Sequence, residues 1–213
     1  MFAVVTPEKI HLPPGTLIKF PGSWQDYQAL VEQLGDRQIP RIKYRPGEIL
    51  LMSPLSVHGK QADIIADVVK VLLDYLARDY EAFTPITMDL PEVRGIEPDY
   101  CFYIDNCAAI LGKDRIAWGV EPPPDLVIEV DVTSYTNLDD YLPYQVPEVW
   151  LFKKNKLIIY CVQNGLYVES SVSRYFPNFN VSAIVEECWQ MSRDRHTSTV
   201  IRELRQKIER ENG

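Results

Sequence analysis

The chain has 213 residues, 46% of them hydrophobic and 24% charged, enough to build one domain around a sizeable core. Its net charge of -8, from 22 Lys and Arg against 30 Asp and Glu, argues against a protein that coats nucleic acid non-specifically. It leaves room for a local basic groove, or for phosphate handled through a metal.

The N-terminal residues 1–22, with Pro7, Pro13, Pro14 and Pro21, predict an irregular arm. No basic segment followed by a long apolar core opens the chain, and no apolar run approaches the ~20 residues of a membrane span. Ser23 and Asp26 have the spacing of a capping box, and Trp24, Tyr27, Leu30, Val31 and Leu34 then form one helical stripe. Residues 41–54 read as a hairpin turning at Arg45-Pro46-Gly47, with Glu48 opening its second strand. Over 57–79, Ala62, Ile65, Ala66, Val69, Leu72, Leu73 and Leu76 recur at three and four, so the longest helix is expected there.

Strands are expected at 82–90, 98–104 and 125–132, with a short helix near 106–112 and a stiff Pro122-Pro123-Pro124 run before the third strand. After a polar stretch (134–142), the run PEVWLF predicts a fourth strand. Asn155 and Asn164-Gly165 then punctuate an antiparallel meander. Helices are expected at 181–190 and 197–211, the last with only a thin stripe (Ile201, Leu204, Ile208) that suits a peripheral or partner-facing element. The exposed edges of the meander, with Trp150, Tyr160 and Tyr167, are either a dimer surface or core. Cys101, Cys107, Cys161 and Cys188 form no CxxC pair, consistent with the reduced thiols of a cytoplasmic protein.

Two runs carry the chemistry, EPDYCFY (97–103) and PDLVIEVDV (124–132). Each opens on Pro-Asp and continues as a strand. Alternation along the second strand puts Glu129 and Asp131 on one face, with Leu126, Ile128 and Val130 on the core face. Ionised carboxylates on a buried strand are costly unless compensated, and a divalent cation with oxygen ligands is one compensation. Asp99 from the neighbouring strand would complete a Mg²⁺ or Mn²⁺ site. The other reading makes Asp99 and Asp125 turn residues at strand entrances and puts Glu129 and Asp131 on a solvated edge.

Pro-Asp, then about 30 residues, then an acidic residue in the position of Asp/Glu-x-Lys resembles the signature of the PD-(D/E)xK nuclease superfamily. More narrowly, the chain resembles the restriction-endonuclease-like proteins expanded in cyanobacteria. The match rests on Gly47-Glu48-Ile49, Met52-Ser53-Pro54, His58, Glu97-Pro98-Asp99, Pro124-Asp125 through Val130, and Val146-Pro147-Glu148-Val149-Trp150. The resemblance implies an α/β fold with a restriction-endonuclease-like core: a mixed sheet flanked by helices, here with an added antiparallel meander. It implies a domain over 41–192, an N-terminal arm and helix over 1–40, and a C-terminal helix over 193–213. It further implies Asp99 and Glu129 as metal ligands, the Val130 carbonyl as a backbone ligand, and Glu48 and His58 near the pocket. Glu48 also reads as an exposed hairpin residue, and His58 as a packing or capping group. DNA would be the substrate and a homodimer the working form.

The chain departs from the signature at one position. Where the motif has lysine, this chain has Asp131, and no Lys or Arg occurs from Ile116 through Phe152. The superfamily lysine stabilises charge on the phosphate and assists the attacking water. Lys43 or Lys60 reaches in, or Asp131 joins the metal ligands, or the site no longer cuts. Lys60 lies about 200° around the helix from His58, so the two suit different pockets. Two functions follow: a Mg²⁺-dependent DNA endonuclease, or a catalytically silent nuclease fold that binds DNA or a protein.

Overall fold

The computed structural model describes residues 12–35, 40–132 and 136–212. Pro7 and the start of the expected arm, Asp36 after the first helix, and residues 133–135 of the polar stretch lie outside these. The chain divides into two compact units, Met1–Ser56 with Thr87–Glu97, and Val57–Ile86 with Pro98–Gly213.

In the first unit the capping box forms as expected. The Ser23 hydroxyl accepts from the Asp26 amide at 3.2 Å, and Asp26 accepts from the Ser23 amide at 2.8 Å, starting α1 (Trp24–Leu34). The hairpin also forms: β2 (Arg41–Arg45) pairs antiparallel with β3 (Glu48–Met52), and Gly47 takes the left-handed φ of 82° that the turn needs. The arm is not wholly irregular. Its residues Leu17–Pro21 form β1, which extends the sheet along β3. Pro21 is tolerated because it ends an edge strand, where no ladder N–H is required.

The single strand expected over 82–90 is two strands in different sheets. β4 (Glu81–Phe83) belongs to the second unit, and β5 (Met88–Leu90) pairs in the first unit with a further strand, β6 (Arg94–Ile96). Pro85 lies between them and has no N–H to continue a ladder. The first sheet runs β1-β3-β2-β6-β5. Its core is aromatic: Tyr27 stands 4.9 Å from Trp24 and 5.6 Å from Tyr44, centroid to centroid. The Tyr27 hydroxyl donates to Asp89 at 2.6 Å. Gly95 lies under this ring, where a Cβ would come 2.6 Å from Tyr27 Cζ. Gly95→Ala should therefore destabilise the protein by about 1–3 kcal/mol, read as a lower urea midpoint at unchanged slope.

The second unit is a six-stranded sheet in the order β11-β10-β9-β8-β7-β4. Its remaining strands are β7 (Tyr100–Tyr103), β8 (Leu126–Asp131), β9 (Glu148–Lys153), β10 (Lys156–Gln163) and β11 (Leu166–Ser170). All neighbours are antiparallel except β8 and β9, which run parallel in the register Glu129↔Leu151 and Asp131↔Lys153. The mixed sheet with an appended meander is thus as expected.

α2 (Ser56–Tyr75), α4 (Val181–Met191) and α5 (Thr197–Asn212) pack on the sheet, and α3 (Cys107–Ile110) is a single turn. α2 stops short of residue 79. The chain turns at Ala77, whose φ is 50°, and the Arg78 amide closes back on the Leu73 carbonyl at 3.0 Å.

Leu126, Ile128 and Val130 enter the core face of this sheet beside Trp150 and Phe152, as alternation along β8 predicts. One expectation fails here, and one open alternative closes on core packing for Trp150. α5 is not peripheral, because Val200, Leu204 and Ile208 are buried in the same core. Trp150 is fully buried and can serve no dimer surface; Tyr167 is half-buried, with its hydroxyl donating to the Val146 carbonyl at 2.9 Å. Among the described residues no helix is long and apolar enough to cross a membrane.

Candidate active site

The site is built where β7 meets β8. Their register runs Phe102↔Leu126, Cys101↔Val127, Tyr100↔Ile128. Continued by one residue, it sets Asp99 opposite Glu129, and directly opposed residues share a face. The Asp99 carboxylate turns onto the β8 backbone and accepts from the Val130 amide at 2.8 Å. Its other oxygen lies 2.6 Å from His58 Nε2, within hydrogen-bond distance. Thr84 Oγ1 donates to the Asp99 backbone carbonyl at 2.8 Å and fixes the entry into β7.

Glu129 accepts from the hydroxyl of Tyr141. Tyr141 follows a short 3₁₀ turn, Leu138–Asp140, in the crossover that makes β8 and β9 parallel. Burial, and then the charge of Glu129, hold its phenol well above the usual range; Asp99 and Asp140 add to this. The hydroxyl therefore stays a donor at any ordinary pH. Asp99 is 1% exposed, Glu129 3% and Asp131 7%, so the solvated-edge reading of Glu129 and Asp131 is overturned.

Asp131, on the same face as Glu129, is held by Lys153 Nζ at 3.0 Å. His58 is buried in the first turn of α2. One turn on, Gln61 is also buried, and its side-chain carbonyl oxygen has no hydrogen-bond partner among the described residues. Glu48 lies in the first unit, at the start of β3, beside Lys19 at 3.6 Å and Arg45 at 3.7 Å. Of the two lysines considered as replacements for the motif amine, Lys60 is committed elsewhere: its Nζ donates to the Ser192 carbonyl at 2.6 Å. Lys43 sits in β2 of the first unit, where its charge acts on Glu97.

The second Pro-Asp pair does structural work. Asp125 accepts from the amides of Ile104 at 2.7 Å and Asn106 at 3.0 Å, stapling the end of β7 to the start of β8. Tyr141 and Lys153 are the residues that pattern reading misses. Tyr141 has no local signature, and Lys153 is the first residue beyond the cation-free stretch.

The residues present suit a hard divalent ion only in part. Among the described residues no three His, Cys, Asp or Glu side chains stand together as a ready-made cage. Mg²⁺ seldom needs one, being commonly held by one or two carboxylates with waters and substrate phosphate completing the shell. Two buried carboxylates, with an unpartnered carbonyl on the His58 side of α2, fit that donor set.

This arrangement, paired acids on adjacent central strands of a mixed sheet with helices packed on it, defines a nuclease-like α/β fold. Residues 24–195 match the family model described as "Uma2: Putative restriction endonuclease", and the chain belongs to that family. Among solved structures it is similar to one described as a "putative nuclease belonging to DUF820", from Anabaena variabilis ATCC 29413. The identity is 16% and the TM-score 0.55, over 79% of this chain and 99% of that one. That likeness shows the shared fold. A comparison with curated proteins finds no match.

Proposed function

We propose that the protein is a metal-dependent endonuclease that hydrolyses phosphodiester bonds in DNA. One observation carries the reading: Asp99 and Glu129, both buried, stand at opposed positions of adjacent strands, each hydrogen-bonded to a buried side chain. Burying two carboxyl groups in neighbouring strands is costly, and ionisable groups held at such a cost mark functional sites. Asp99, Glu129 and the Val130 carbonyl would hold Mg²⁺ or Mn²⁺. Bound there, the ion would polarise the phosphodiester and lower the pKa of a water. His58 fixes the Asp99 carboxylate, and Tyr141 fixes that of Glu129. In the reaction a water oxygen bonds to phosphorus as the bond to the departing sugar oxygen breaks. The water loses a proton and the sugar oxygen gains one.

Supercoiled plasmid incubated with Mg²⁺ or Mn²⁺ should be nicked or linearised, and EDTA should stop the reaction. Metal alone should raise the melting temperature. An ion at a hundred times its dissociation constant adds about 2.7 kcal/mol, and Glu129→Ala should erase the shift. Wild type no more active than Glu129→Ala sinks the reading. The acid at the motif lysine position favours a second reading, a silent nuclease fold that binds DNA. Salt-dependent DNA binding without cutting would select it. Two copies of the chain would serve the two strands of a duplex, a homodimer that sedimentation can count.

A further inference from the structure

We propose that Lys153 supplies the catalytic amine from β9, replacing the lysine that β8 lacks at Asp131; the inference rests on the nuclease reading above. Three observations converge. First, the parallel register pairs Asp131 with Lys153, and residues paired in this way project to the same face of a sheet, here the face that carries Glu129. The amine is 22 residues beyond the motif position in the chain and adjacent to it in space. Side chains two apart on a strand are about 7 Å apart, so the Asp131 position stands next to Glu129 at the range of a bound phosphate.

Second, the two members of the pair are buried to different degrees. The Asp131 side chain is 1% exposed and that of Lys153 32%. The carboxylate is the anchor, and the ammonium is the end that reaches open space. A nearly buried carboxylate holds a cation firmly, which orients the amine before substrate arrives. Third, other cations of the second unit are drawn elsewhere. Lys60 holds the Ser192 carbonyl, Lys70 lies 3.2 Å from the Tyr100 hydroxyl, and Arg78 pairs with Asp105. Lys153 is bonded to β8 itself. It donates a hydrogen bond to a non-bridging phosphate oxygen as negative charge grows there; no proton or electron is transferred from it.

The test compares purified full-length variants on plasmid and on a fluorescent duplex. Lys153→Met should lower the cleavage rate by about 10²–10³-fold, the usual cost of one charge-stabilising donor. Asp131→Asn/Lys153→Met, which leaves no carboxylate unpaired, should lose as much while keeping its melting temperature. Asp131→Lys/Lys153→Asp exchanges the pair, returns an amine to β8, and should recover at least tenfold over Lys153→Met. In EDTA, where no cutting occurs, Lys153→Met should also flatten the salt dependence of duplex affinity by about one phosphate contact, a slope change of ~0.9. Wild type that cuts while Lys153→Met cuts equally fast overturns the assignment and leaves the nuclease reading standing. So does an exchanged pair that folds yet stays as slow as Lys153→Met. Wild type that neither cuts nor binds DNA removes the nuclease reading, and the inference with it.

Discussion

Asp99→Ala is expected to abolish metal-dependent cleavage, lowering its rate by about 10³-fold or more, and to remove the thermal shift produced by Mg²⁺ or Mn²⁺. Lewis-acid stabilisation of a phosphoryl transition state is worth several kcal/mol, and losing ~4 kcal/mol of it is a factor of about 10³. The same substitution strips the Val130 amide of its acceptor at 2.8 Å and leaves His58 without its partner at 2.6 Å. An orphaned buried donor costs roughly 1–3 kcal/mol, so Asp99→Ala should also melt earlier. Asp99→Asn separates the two effects. Its amide oxygen still accepts from Val130, its NH₂ can donate to His58 Nε2 in the tautomer whose Nε2 accepts, and its charge is gone. It should therefore fold nearly as well as wild type and cut as poorly as Asp99→Ala. Asp99→Asn that cuts at the wild-type rate would show that the carboxylate holds no ion.

Glu148→Ala is expected to be the most destabilising single change at a residue outside the site. Glu148 is fully buried, and its carboxylate is surrounded by donors. Trp150 Nε1 and Ser173 Oγ each donate at 2.6 Å and the Arg174 amide at 2.8 Å, while the Cys161 thiol approaches to 3.6 Å. Alanine leaves all of these unmatched around a small void. The loss should be roughly 3–5 kcal/mol, or about 10 °C in melting temperature for a chain of this size. Glu148→Gln should cost less but still clearly destabilise, because its NH₂ would face donors rather than acceptors. Cleavage per folded molecule should be unchanged in both, since the carboxylate projects to the core face of β9, opposite to that of Lys153. Thermal denaturation with an activity titration of the folded fraction separates the two quantities.

Legibility in the sequence followed the range of the interactions. The α1 capping box, the β2–β3 hairpin and the core alternation of β8 are set by residues a few positions apart, and each formed as read. So did the shared face of Glu129 and Asp131. Pro85 marks the split between β4 and β5, but that the two halves join different sheets is decided by pairing partners far along the chain. The two Pro-Asp pairs look alike as text. Asp125 is stapled by the amides of Ile104 and Asn106, whereas Asp99 meets a histidine and a strand amide beside another acid. Lys153 was the hardest to see, since a spacing rule along one strand has no term for the strand beside it. For the same reason α5 looked peripheral: its stripe is thin, and the groove that receives it is made by distant elements.

The interrupted chain path of the first unit bears on how the protein is made. Its sheet is completed by β5 and β6, which leave the ribosome only after α2 and β4 have been synthesised. Until then the free edge of β2 stands open, a template for wrong pairing. A nascent or truncated chain ending near Ser56 would therefore be a sticky three-strand fragment. Chaperone demand should peak during this interval, and an expression fragment intended to capture this unit would have to reach past Glu97.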